Sequence, residues 1–491
     1  MGEEIILNVL PRETRVAVVE QGLLQELFIE RLDTKGTLGN IYKGKVTRIL
    51  PGMQSAFLDI GHPRSAFVHV SDLLEPREGT LDDEGASMVP DIRELLYEGK
   101  KLLVQVTKES IGTKGARLST NISLASRFLV YMPGNTRVGI SQRIEDDDER
   151  QRLRDILEKV RIEQGEGGFI VRTAAEMASE EEIAKDAELL RLRWEAICED
   201  SKDATPPVLV FDDLPLHLRV MRDIINFHTD RIIVDDKAIC ETLDNFLKDF
   251  IPDKAECLEY VRDEVSLFDV YNLEDQIETA LDRNVPLKSG GYLVIDQTEA
   301  MTTVDVNTGA FVGKKDLEET IYRTNLEAAA AIPRQLRLRN IGGIVILDFI
   351  DMADEEHKRQ VIRTLEKGQQ SDRVKWKISE ISELGLVEMT RKRTHESLLQ
   401  QMCGPCPSCD GKGFIKTPES VCLEIFREIR RRASGLRGKG CLIMASQVVV
   451  DRLLDEDAAC IRELSGSIGT DIRFQVEASY TQEQFDVVLP L

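Results

Sequence analysis

Residues 301–309 read MTTVDVNTG, and residues 289–296 before them read SGGYLVID. Apolar and polar residues alternate in both runs, and this pattern predicts a β-hairpin with one buried face. Val304 and Val306 point to the buried face, whereas the polar residues of the same run line the other. The hairpin therefore determines which polar side chains are exposed together.

Three of those polar side chains are candidates for chemistry. Asp305 and Asn307 share the exposed face, and residues 343–351, GIVILDFID, place Asp348 at the end of the next apolar strand. Carboxylates beside buried strands are costly unless they bind a cation or a hydrogen-bond donor. Two converging carboxylates suit Mg²⁺, and Asn307 can hold a carboxylate in place. Capped surface carboxylates at strand ends explain the spacing equally well.

The composition favours a multidomain protein of ordinary solubility. The chain has 491 residues, 31% charged and 42% apolar, with a formal net charge of −23. A single core stops growing well below this length, so several domains are expected. The negative charge is concentrated in runs such as EDDDE at 145–149, which leaves basic surface elsewhere for nucleic acid. Single, scattered cysteines outside one cluster, with no basic leader and no long apolar run, favour a cytoplasmic protein without a membrane span.

The order of predicted elements indicates a mixed α/β fold. Alternating runs predict a strand meander over 4–31, and short strands between glycines predict a small barrel over 36–124. Strands alternate with charged helices over 125–212, where Pro206-Pro207 marks a boundary. The most apolar strands of the chain lie within 285–400.

Two phenylalanines are expected on the solvent-exposed face of the barrel. In the runs SAFLDIG (55–61) and SAFVHVS (65–71), the small and aliphatic residues face the core, so Phe57 and Phe67 point outward. Bases stack on such rings, and Lys114 in a nearby glycine loop is placed to meet a phosphate. The stretch resembles an RNA-binding oligonucleotide-binding barrel of the ribosomal-protein type. Packing of the rings under a neighbouring domain is the alternative.

A cysteine cluster near the C-terminus has the pattern of half a metal site. Residues 403–413 read CGPCPSCDGKG, in which Cys406 and Cys409 have the C-x-x-C spacing of zinc ligands. A closed structural site needs four ligands, and no second such pair follows. The missing ligands could come from Cys403 and a distant residue, or from a second subunit. A turn with free thiols is the remaining alternative.

In this order, the barrel, the carboxylates and the cysteines closely resemble the ribonuclease E/G family of bacterial endoribonucleases. The resemblance covers essentially the whole chain, and the end at Leu491 is typical of the shorter G branch. It is carried by the motifs NIYKG (40–44), GTKGA (112–116), IVRTA (170–174), TVDVN (303–307), RQLRLR (334–339), DFIDM (348–352) and CPSC (406–409).

The resemblance implies a set of subdomains. An RNase H-like subdomain is split by an inserted RNA-binding barrel and a 5′-phosphate sensor, and a DNase I-like catalytic domain, a zinc link and a small dimerisation domain follow. The implied bounds are RNase H-like at 1–37 and 213–284, barrel at 38–124, sensor at 125–212, catalytic domain at 285–400, zinc link at 401–415 and dimerisation domain at 416–491.

It also implies the catalytic residues. Asp305 and Asp348 would hold the catalytic Mg²⁺, and Asn307 would orient Asp348. The metal would activate water against the phosphodiester, leaving 5′-phosphate and 3′-hydroxyl ends. Cys406 and Cys409 would supply two ligands to a zinc ion shared between subunits of a homodimer or tetramer.

The RNA-contacting residues are implied in the same way. Phe57, Phe67 and Lys114 match substrate-clamping positions of the barrel. Arg172 and Thr173 match the pocket for a 5′-monophosphate, where a guanidinium suits a terminal phosphate, and Val130 matches a backbone contact there. The alternative is that Arg172 only forms a salt bridge with one of the many acidic residues of the helices.

The implied substrates are single-stranded, A/U-rich RNAs, with roles in maturation of ribosomal RNA 5′ ends and in messenger decay. A non-catalytic RNA-binding scaffold and a DNA phosphodiesterase remain as alternatives, although the two aspartates count against the scaffold.

Three features depart from the family pattern or stay open. Gln142 stands where a paired arginine is common, although Arg143 follows. Pro333 falls within a predicted helix at 317–338, where it should kink or break the helix. The three arginines of the run RQLRLR could follow RNA phosphates or form a solvated helical face.

Overall fold

The structure is a computed structural model, and it describes residues 2–32, 36–73, 90–110, 115–144, 146–164, 167–226, 228–262, 266–309, 317–382, 384–436 and 440–488. Two compact units divide the chain, Met1–Gln401 and Met402–Leu491. Lys114, one of the predicted RNA-binding residues, lies outside the described residues.

The described residues form strands and helices throughout both units. The strands are β1 (Glu3–Leu10), β2 (Glu13–Glu20), β3 (Leu23–Arg31), β4 (Ile41–Leu50), β5 (Ser55–Asp59), β6 (Ala66–His69), β7 (Lys101–Lys108), β8 (Arg117–Ser119), β9 (Leu124–Ala125), β10 (Leu129–Met132), β11 (Val138–Ile140), β12 (Gly168–Val171), β13 (Val208–Phe211), β14 (Thr229–Val234), β15 (Leu258–Tyr260), β16 (Asn284–Pro286), β17 (Tyr292–Gln297), β18 (Met301–Asn307), β19 (Gly343–Asp348), β20 (Trp376–Ile381), β21 (Leu386–Arg391), β22 (Cys441–Ala445), β23 (Ile472–Val476) and β24 (Phe485–Val488). The helices are α1 (Ile92–Leu95), α2 (Asp147–Gln164), α3 (Glu180–Asp203), α4 (Leu216–Ile224), α5 (Lys237–Phe250), α6 (Leu267–Val270), α7 (Leu273–Leu281), α8 (Leu317–Leu338), α9 (Glu355–Gln369), α10 (Leu398–Met402), α11 (Pro418–Leu436), α12 (Gln447–Leu454) and α13 (Ala458–Ile468).

The first sheet joins the N-terminus to a distant segment. Its strand order is β15-β14-β1-β2-β3, in which β1 to β3 form the predicted meander and β14 pairs with β1 in parallel. Helices α4 and α5 cover a core of aliphatic residues from both segments. The chain therefore leaves this sheet after β3 and returns to it near residue 229, which agrees with a subdomain interrupted by insertions.

The second sheet closes into a small barrel. Its order is β13-β4-β5-β6-β8-β7, and β4 also pairs with β7 to complete the ring. Every second residue of β5 and β6 is buried in the barrel core, as the alternating pattern predicts. Strand β13 adds to the outside of β4 through pairs such as Val208 with Lys43. It reaches the barrel from the segment predicted to be the sensor.

A third sheet has the order β11-β12-β10-β9. Its strands come from residues 124–171, which follow β8 of the barrel in the sequence. Helices α2 and α3 pack on it around a core that contains Phe169 and Leu190. Ser179 caps α3 by accepting a hydrogen bond from the Glu182 amide, while the Glu182 side chain returns to Ser179. Both helices were predicted from their charged, periodic sequence.

The fourth sheet carries the candidate catalytic residues. Its order is β16-β17-β18-β19-β21-β20, and helices α8 and α9 pack against it. Strands β17 and β18 form the predicted antiparallel hairpin. Pro333 was expected to kink or break the helix; a break was wrong, because α8 runs through it. The proline ring is buried against α9, where a Cβ at Gly368 would lie 2.9 Å from it.

The unit Met402–Leu491 contains a three-stranded sheet of order β23-β22-β24 with helices α11 to α13 around its own core. This agrees with the small α/β domain predicted for the C-terminal segment. Among the helices of the described residues, none has the length and apolarity needed to cross a membrane.

Candidate active site and RNA-binding surfaces

The two predicted catalytic aspartates meet on neighbouring strands. Asp305 of β18 is the register partner of Asp348 at the end of β19, and the two strands run in parallel. Both side chains are exposed, whereas Val304 and Val306 beside Asp305 are buried. The pleat thus presents the two carboxylates on the same side of the sheet, as the hairpin pattern predicts.

The electrostatics of this pair favour a cation. Partial burial raises the pKa of Asp348, and the negative charges of Asp305 and Asp351 raise it further. Asp351 received no role in the sequence interpretation, although it stands three residues beyond Asp348 in the same motif. Several carboxylates close together at an exposed surface fit a hard cation with oxygen ligands.

The hydrogen bond of Asn307 differs from what the resemblance implied. Its Nδ2 donates to Oδ2 of Asp305 at 2.9 Å, whereas the resemblance implied that it would orient Asp348. The physical reason is the pleat, because residues two apart on one strand point to the same face. Asn307 therefore fixes the carboxylate of its own strand.

A buried asparagine holds the loop that follows β19. Asn325 of α8 is fully buried; its Nδ2 donates to the Ile350 carbonyl at 2.7 Å, and its Oδ1 accepts from the Ile350 amide at 3.1 Å. The contact orders the backbone between Asp348 and Asp351. Sequence reasoning did not find Asn325, because a single polar residue inside an amphipathic helix carries no distinguishing signal.

The barrel presents its two phenylalanines as a pair. Phe57 of β5 and Phe67 of β6 are direct cross-strand partners, both half-buried, while the residues on either side of each ring are fully buried. Arg48 of β4 and Arg117 of β8 continue the same cross-strand row. Arg117 is held by Asp72 at 2.8 Å. The outward orientation agrees with the sequence analysis, and contact with RNA stays a prediction.

Arg172 is already bound within the protein. Its Nη2 lies 2.6 Å from Oδ1 of Asp223 on α4, and its Nη1 donates to the Ser126 carbonyl at 2.6 Å. Asp223 also accepts from Arg222, at 3.0 Å from Nε and 2.9 Å from Nη2. Burial would raise the pKa of Asp223, but the two arginines outweigh it and lower the pKa. The pairing with a helix acid, foreseen as the alternative to a phosphate site, is therefore present here.

The other residues of the predicted 5′-phosphate pocket lie near Arg172. Thr173 is exposed, and its hydroxyl lies 3.2 Å from the Ser141 hydroxyl. Val130 occupies the strand β10, opposite Ile170 of β12. The structure places the three predicted residues close together on the third sheet, while their contact with a phosphate stays a prediction.

One turn connects the third sheet, the first sheet and the fourth sheet. Asp372 follows α9, and its carboxylate binds Arg391 of β21 at 2.6 Å with both side chains almost fully buried. The Asp372 carbonyl accepts from Arg143, which follows β11 of the third sheet, at 2.9 Å. The next residue, Arg373, lies 3.5 Å from Glu3 of β1. Arg143 is therefore used in packing between subdomains.

A cleft of about 1280 Å³ opens beside this turn. Its walls come from β3, the end of β7, α4 and the segment after β21, and they include Asp223 and Arg222. The cleft therefore reaches from the barrel to the ion pair that holds Arg172.

The arginines of the run at 334–339 make contacts within the protein, so the solvated helical face was wrong, whereas contact with RNA phosphates stays a prediction. Arg334 donates to the Leu24 carbonyl at 3.0 Å and Arg337 donates to Gln25 at 2.9 Å, which docks α8 on β3. Arg339 is buried, and this burial lowers its pKa to about 10. Periodicity alone could not reveal these contacts, because their partners lie far away in the sequence.

The cysteine cluster forms a turn in which backbone amides face sulfur atoms. The Gly413 amide lies 3.4 Å from Sγ of Cys409, and Asp410 and Gly411 adopt positive φ angles of 51° and 77°. Hydrogen bonds from the backbone amides of Cys409 and Ser408 lower the pKa of Cys406. Amides aimed at sulfur favour the thiolate form that binds metal.

The described residues contain no group of three or more His, Cys, Asp or Glu side chains placed to hold a metal ion. The metal sites expected at Asp305 and Asp348, and at Cys406 and Cys409, therefore stay predictions.

Comparisons with known proteins place this architecture in a family. A model described as "Ribonuclease E/G family" matches residues 123–394, and one described as "S1 RNA binding domain" matches residues 35–121. A third, "RNase E/G, Thioredoxin-like domain", matches residues 405–489. The chain therefore belongs to the ribonuclease E/G family of endoribonucleases.

Individual relatives place the chain near one branch. It is 49% identical over 490 residues to the ribonuclease G of Salmonella typhimurium and 48% identical to that of Escherichia coli K12, each match covering 100% of both chains. The ribonuclease E of Escherichia coli K12 is 39% identical over 423 residues, which cover 86% of this chain and 40% of that protein. These values confirm the resemblance seen in the motifs, and the S1 match confirms that the barrel is of an RNA-binding type.

Proposed function

We propose that this chain is a Mg²⁺-dependent endoribonuclease that cleaves single-stranded, A/U-rich RNA and prefers a 5′-monophosphate on its substrate. Cleavage leaves 5′-phosphate and 3′-hydroxyl ends. The observation that carries the proposal is the in-register pair Asp305 and Asp348, whose negative charges oppose each other at an exposed sheet surface.

The residues of the site fit a magnesium ion. Asp305 and Asp348 supply one carboxylate each, and the hydrogen bond from Asn307 fixes the first. When bound, Mg²⁺ supplies activation of water and stabilisation of charge on the phosphodiester. Asn325 keeps the backbone after Asp348 in place, and the exposed face leaves room for a substrate phosphate.

The barrel is proposed to hold the single strand. Phe57 and Phe67 offer two adjacent ring faces on which bases stack, a contact that tolerates different sequences. Lys114, outside the described residues, is proposed to bind a phosphate beside them. Exposed Arg48 in the same cross-strand row adds positive charge to this surface.

The sensor is proposed to bind the 5′ end through Arg172, Thr173 and a backbone contact at Val130. A guanidinium recognises a terminal phosphate with parallel N–H groups, and a 5′-hydroxyl offers no charge to hold. The contact between Arg172 and Asp223 means that the phosphate has to replace an internal partner.

Cys406 and Cys409 are proposed to bind a zinc ion that two subunits share, within a homodimer or a tetramer. The turn supports this proposal, because its amides face the sulfur atoms and the described residues place no group of three or more ligands there. The subdomain names and bounds given above, with the RNase H-like, DNase I-like and dimerisation parts, belong to the same proposal.

The biological role is proposed from the relatives named ribonuclease G. A cytoplasmic enzyme of this specificity would mature the 5′ ends of ribosomal RNA precursors and take part in messenger decay. The split first sheet, the barrel and the third sheet support this proposal.

The test is cleavage of a short 5′-monophosphorylated A/U-rich strand, with and without Mg²⁺, by the wild type, Asp305→Asn and Asp348→Asn. We expect cleavage to be lost in both variants while RNA binding stays within a few-fold, because neither change touches the stacking surface. Asp296→Asn, on the neighbouring strand β17, is the matched control and should cleave normally. Near wild-type cleavage by either active-site variant would refute the metal site, and binding without turnover by the wild type would favour a scaffold.

A further inference from the structure

We propose that Asp223 is a specificity-determining residue. Its carboxylate binds the guanidinium of Arg172 until a 5′-phosphate replaces it, and this competition sets how strongly RNAs with different 5′ ends are distinguished. The inference rests on the proposed role of Arg172 as the 5′-phosphate ligand. It concerns a residue outside the motif that carries Arg172, on a helix of the first sheet.

The first step is the occupancy of the guanidinium. One Nη atom of Arg172 binds Asp223 at 2.6 Å, and the other binds the Ser126 carbonyl at the same distance. A phosphate needs parallel N–H donors of the same guanidinium for a bidentate contact. A phosphate that approaches the Nη2 side of the guanidinium therefore competes with the Asp223 carboxylate.

The second step is that Asp223 has a partner it keeps. Arg222 binds both of its oxygens, at 3.0 and 2.9 Å, and the Arg222 side chain is only 9% exposed. Arg222 is in turn held by Asp213 and by the Ala125 carbonyl, each at 3.4 Å. Asp223 therefore stays ionised and in place when Arg172 turns to a phosphate, so the incoming phosphate meets a fixed negative charge.

The third step is the position of Asp223 on the cleft. Asp223, Arg222 and Ala125 line the cleft that extends to the barrel. An RNA end that approaches Arg172 along this path reaches the carboxylate as well. A 5′-hydroxyl leaves the ion pair of Arg172 and Asp223 intact. A 5′-monophosphate breaks this ion pair, forms its own with Arg172, and is repelled by the charge of Asp223. The preference for a monophosphate is then the difference in free energy between the two ion pairs, and Asp223 makes this preference smaller.

The experiment compares the wild type, Asp223→Asn, Glu241→Gln and Arg172→Ala on two RNAs that differ only in a 5′-monophosphate or a 5′-hydroxyl. For Asp223→Asn we expect KM for the monophosphate to fall by roughly threefold or more, since a like charge near the phosphate is gone, with kcat unchanged. KM for the 5′-hydroxyl RNA should not change. Glu241→Gln removes an exposed charge from α5, away from the cleft, and should behave as the wild type.

Asp223→Ser serves as a second variant if Asp223→Asn melts early, and Asp223→Glu, which keeps the charge, should retain the wild-type preference. Equal effects of Asp223→Asn on the KM values of both RNAs, or no effect on either, would overturn the inference about Asp223. If Arg172→Ala then still loses the preference for a 5′-monophosphate, the proposed role of Arg172 stands. A preference that survives Arg172→Ala would instead remove the sensor, and the role of Asp223 with it. The ratio of the two KM values therefore tells these failures apart.

Discussion

Asp305 and Asp348 stand directly opposite each other on parallel neighbouring strands, so two carboxylates share one surface of the sheet. Like charges on adjacent strands destabilise a sheet. The pKa of Asp348 is raised by partial burial and, in addition, by the negative charge of Asp305, since both disfavour the ionised form of Asp348. The arrangement is unfavourable for folding alone and suits the binding of a cation.

The first prediction concerns the stability of this pair. Without divalent metal, Asp348→Asn should melt at the same temperature as the wild type or higher, because the substitution removes a repelled charge. Added Mg²⁺ should raise the melting temperature of the wild type but not that of the variant, since only the wild type has both ligands. Thermal melting with EDTA and with Mg²⁺ measures both effects. Asp296→Asn should keep the response to Mg²⁺, and a response retained by Asp348→Asn would contradict the assignment.

The second prediction concerns the barrel. Phe57→Ala and Phe67→Ala should each weaken binding of a single-stranded oligomer by roughly 1–3 kcal/mol, the usual contribution of base stacking. Stability should change little, because neither ring belongs to the barrel core. The double variant should lose less than the sum, since the rings are cross-strand partners. Fluorescence anisotropy measures the affinity, and Tyr97→Ala, which removes an exposed ring of the same barrel outside the row, is the control. A large fall in melting temperature with unchanged affinity would show that the rings are core residues.

Local pattern was enough to predict the parts of the site that lie on regular strands. The alternation in β5, β6 and β18 gave the correct faces for Phe57, Phe67 and Asp305, because side chains on a strand alternate strictly. The hairpin of β17 and β18 and the small C-terminal α/β domain followed from the same kind of reasoning. Family motifs supplied the residue roles that alternation cannot.

Contacts between distant segments were the part that sequence could not supply. The partner of Arg172 is Asp223, and the partner of Arg337 is Gln25 in β3. Each contact depends on how separate sheets pack, which no local period encodes. The joining of β13 to the barrel is a further example of the same kind.

The third prediction concerns zinc. The purified protein should contain about half a zinc ion per chain, because two thiolates from each of two subunits complete one four-ligand site. Cys406→Ser or Cys409→Ser, or removal of metal by a chelator, should shift the assembly towards monomers. Elemental analysis and light scattering measure the two quantities. Cys460→Ser removes another exposed thiol of the same unit and should change neither. One zinc ion per chain would indicate a site completed within the chain, with Cys403 as a candidate ligand.

The fourth prediction concerns the buried pair of Asp372 and Arg391. Asp372→Asn should lower the free energy of unfolding by about 3–5 kcal/mol, because it leaves the Arg391 charge buried without a counter-ion. Only 4% of the Arg391 side chain is exposed, so water cannot compensate. Urea denaturation measures the loss. Glu355→Gln on α9 breaks an exposed ion pair with Lys358 and should change the free energy by no more than about 1 kcal/mol. Similar effects of the two substitutions would show that the buried pair contributes no more than a surface pair.

The fifth prediction concerns pH and the contact between the barrel and the segment after β21. Glu109, at the end of β7, lies 3.6 Å from Nδ1 of His395, and its Oε1 accepts from the amides of Thr37 and Leu38 at 3.1 and 3.4 Å. Burial would raise the pKa of Glu109, but the contacts with His395 and with the Leu38 amide outweigh it and lower the pKa below the usual 4.5.

A carboxylate with a lowered pKa in the folded state adds stability above its unfolded pKa, and loses this contribution as the pH falls through the folded value. Glu109→Gln should therefore melt below the wild type at neutral pH, by a difference equivalent to about 1 kcal/mol. The difference should begin to shrink as the pH falls below about 4.5, and it should vanish once the wild-type carboxyl is protonated. Melting curves from pH 3 to pH 7 measure it, with Glu94→Gln, on α1 of the barrel segment, as the control. A difference that stays constant down to pH 3, or grows on acidification, would mean that the ionised Glu109 does not join the barrel to this segment.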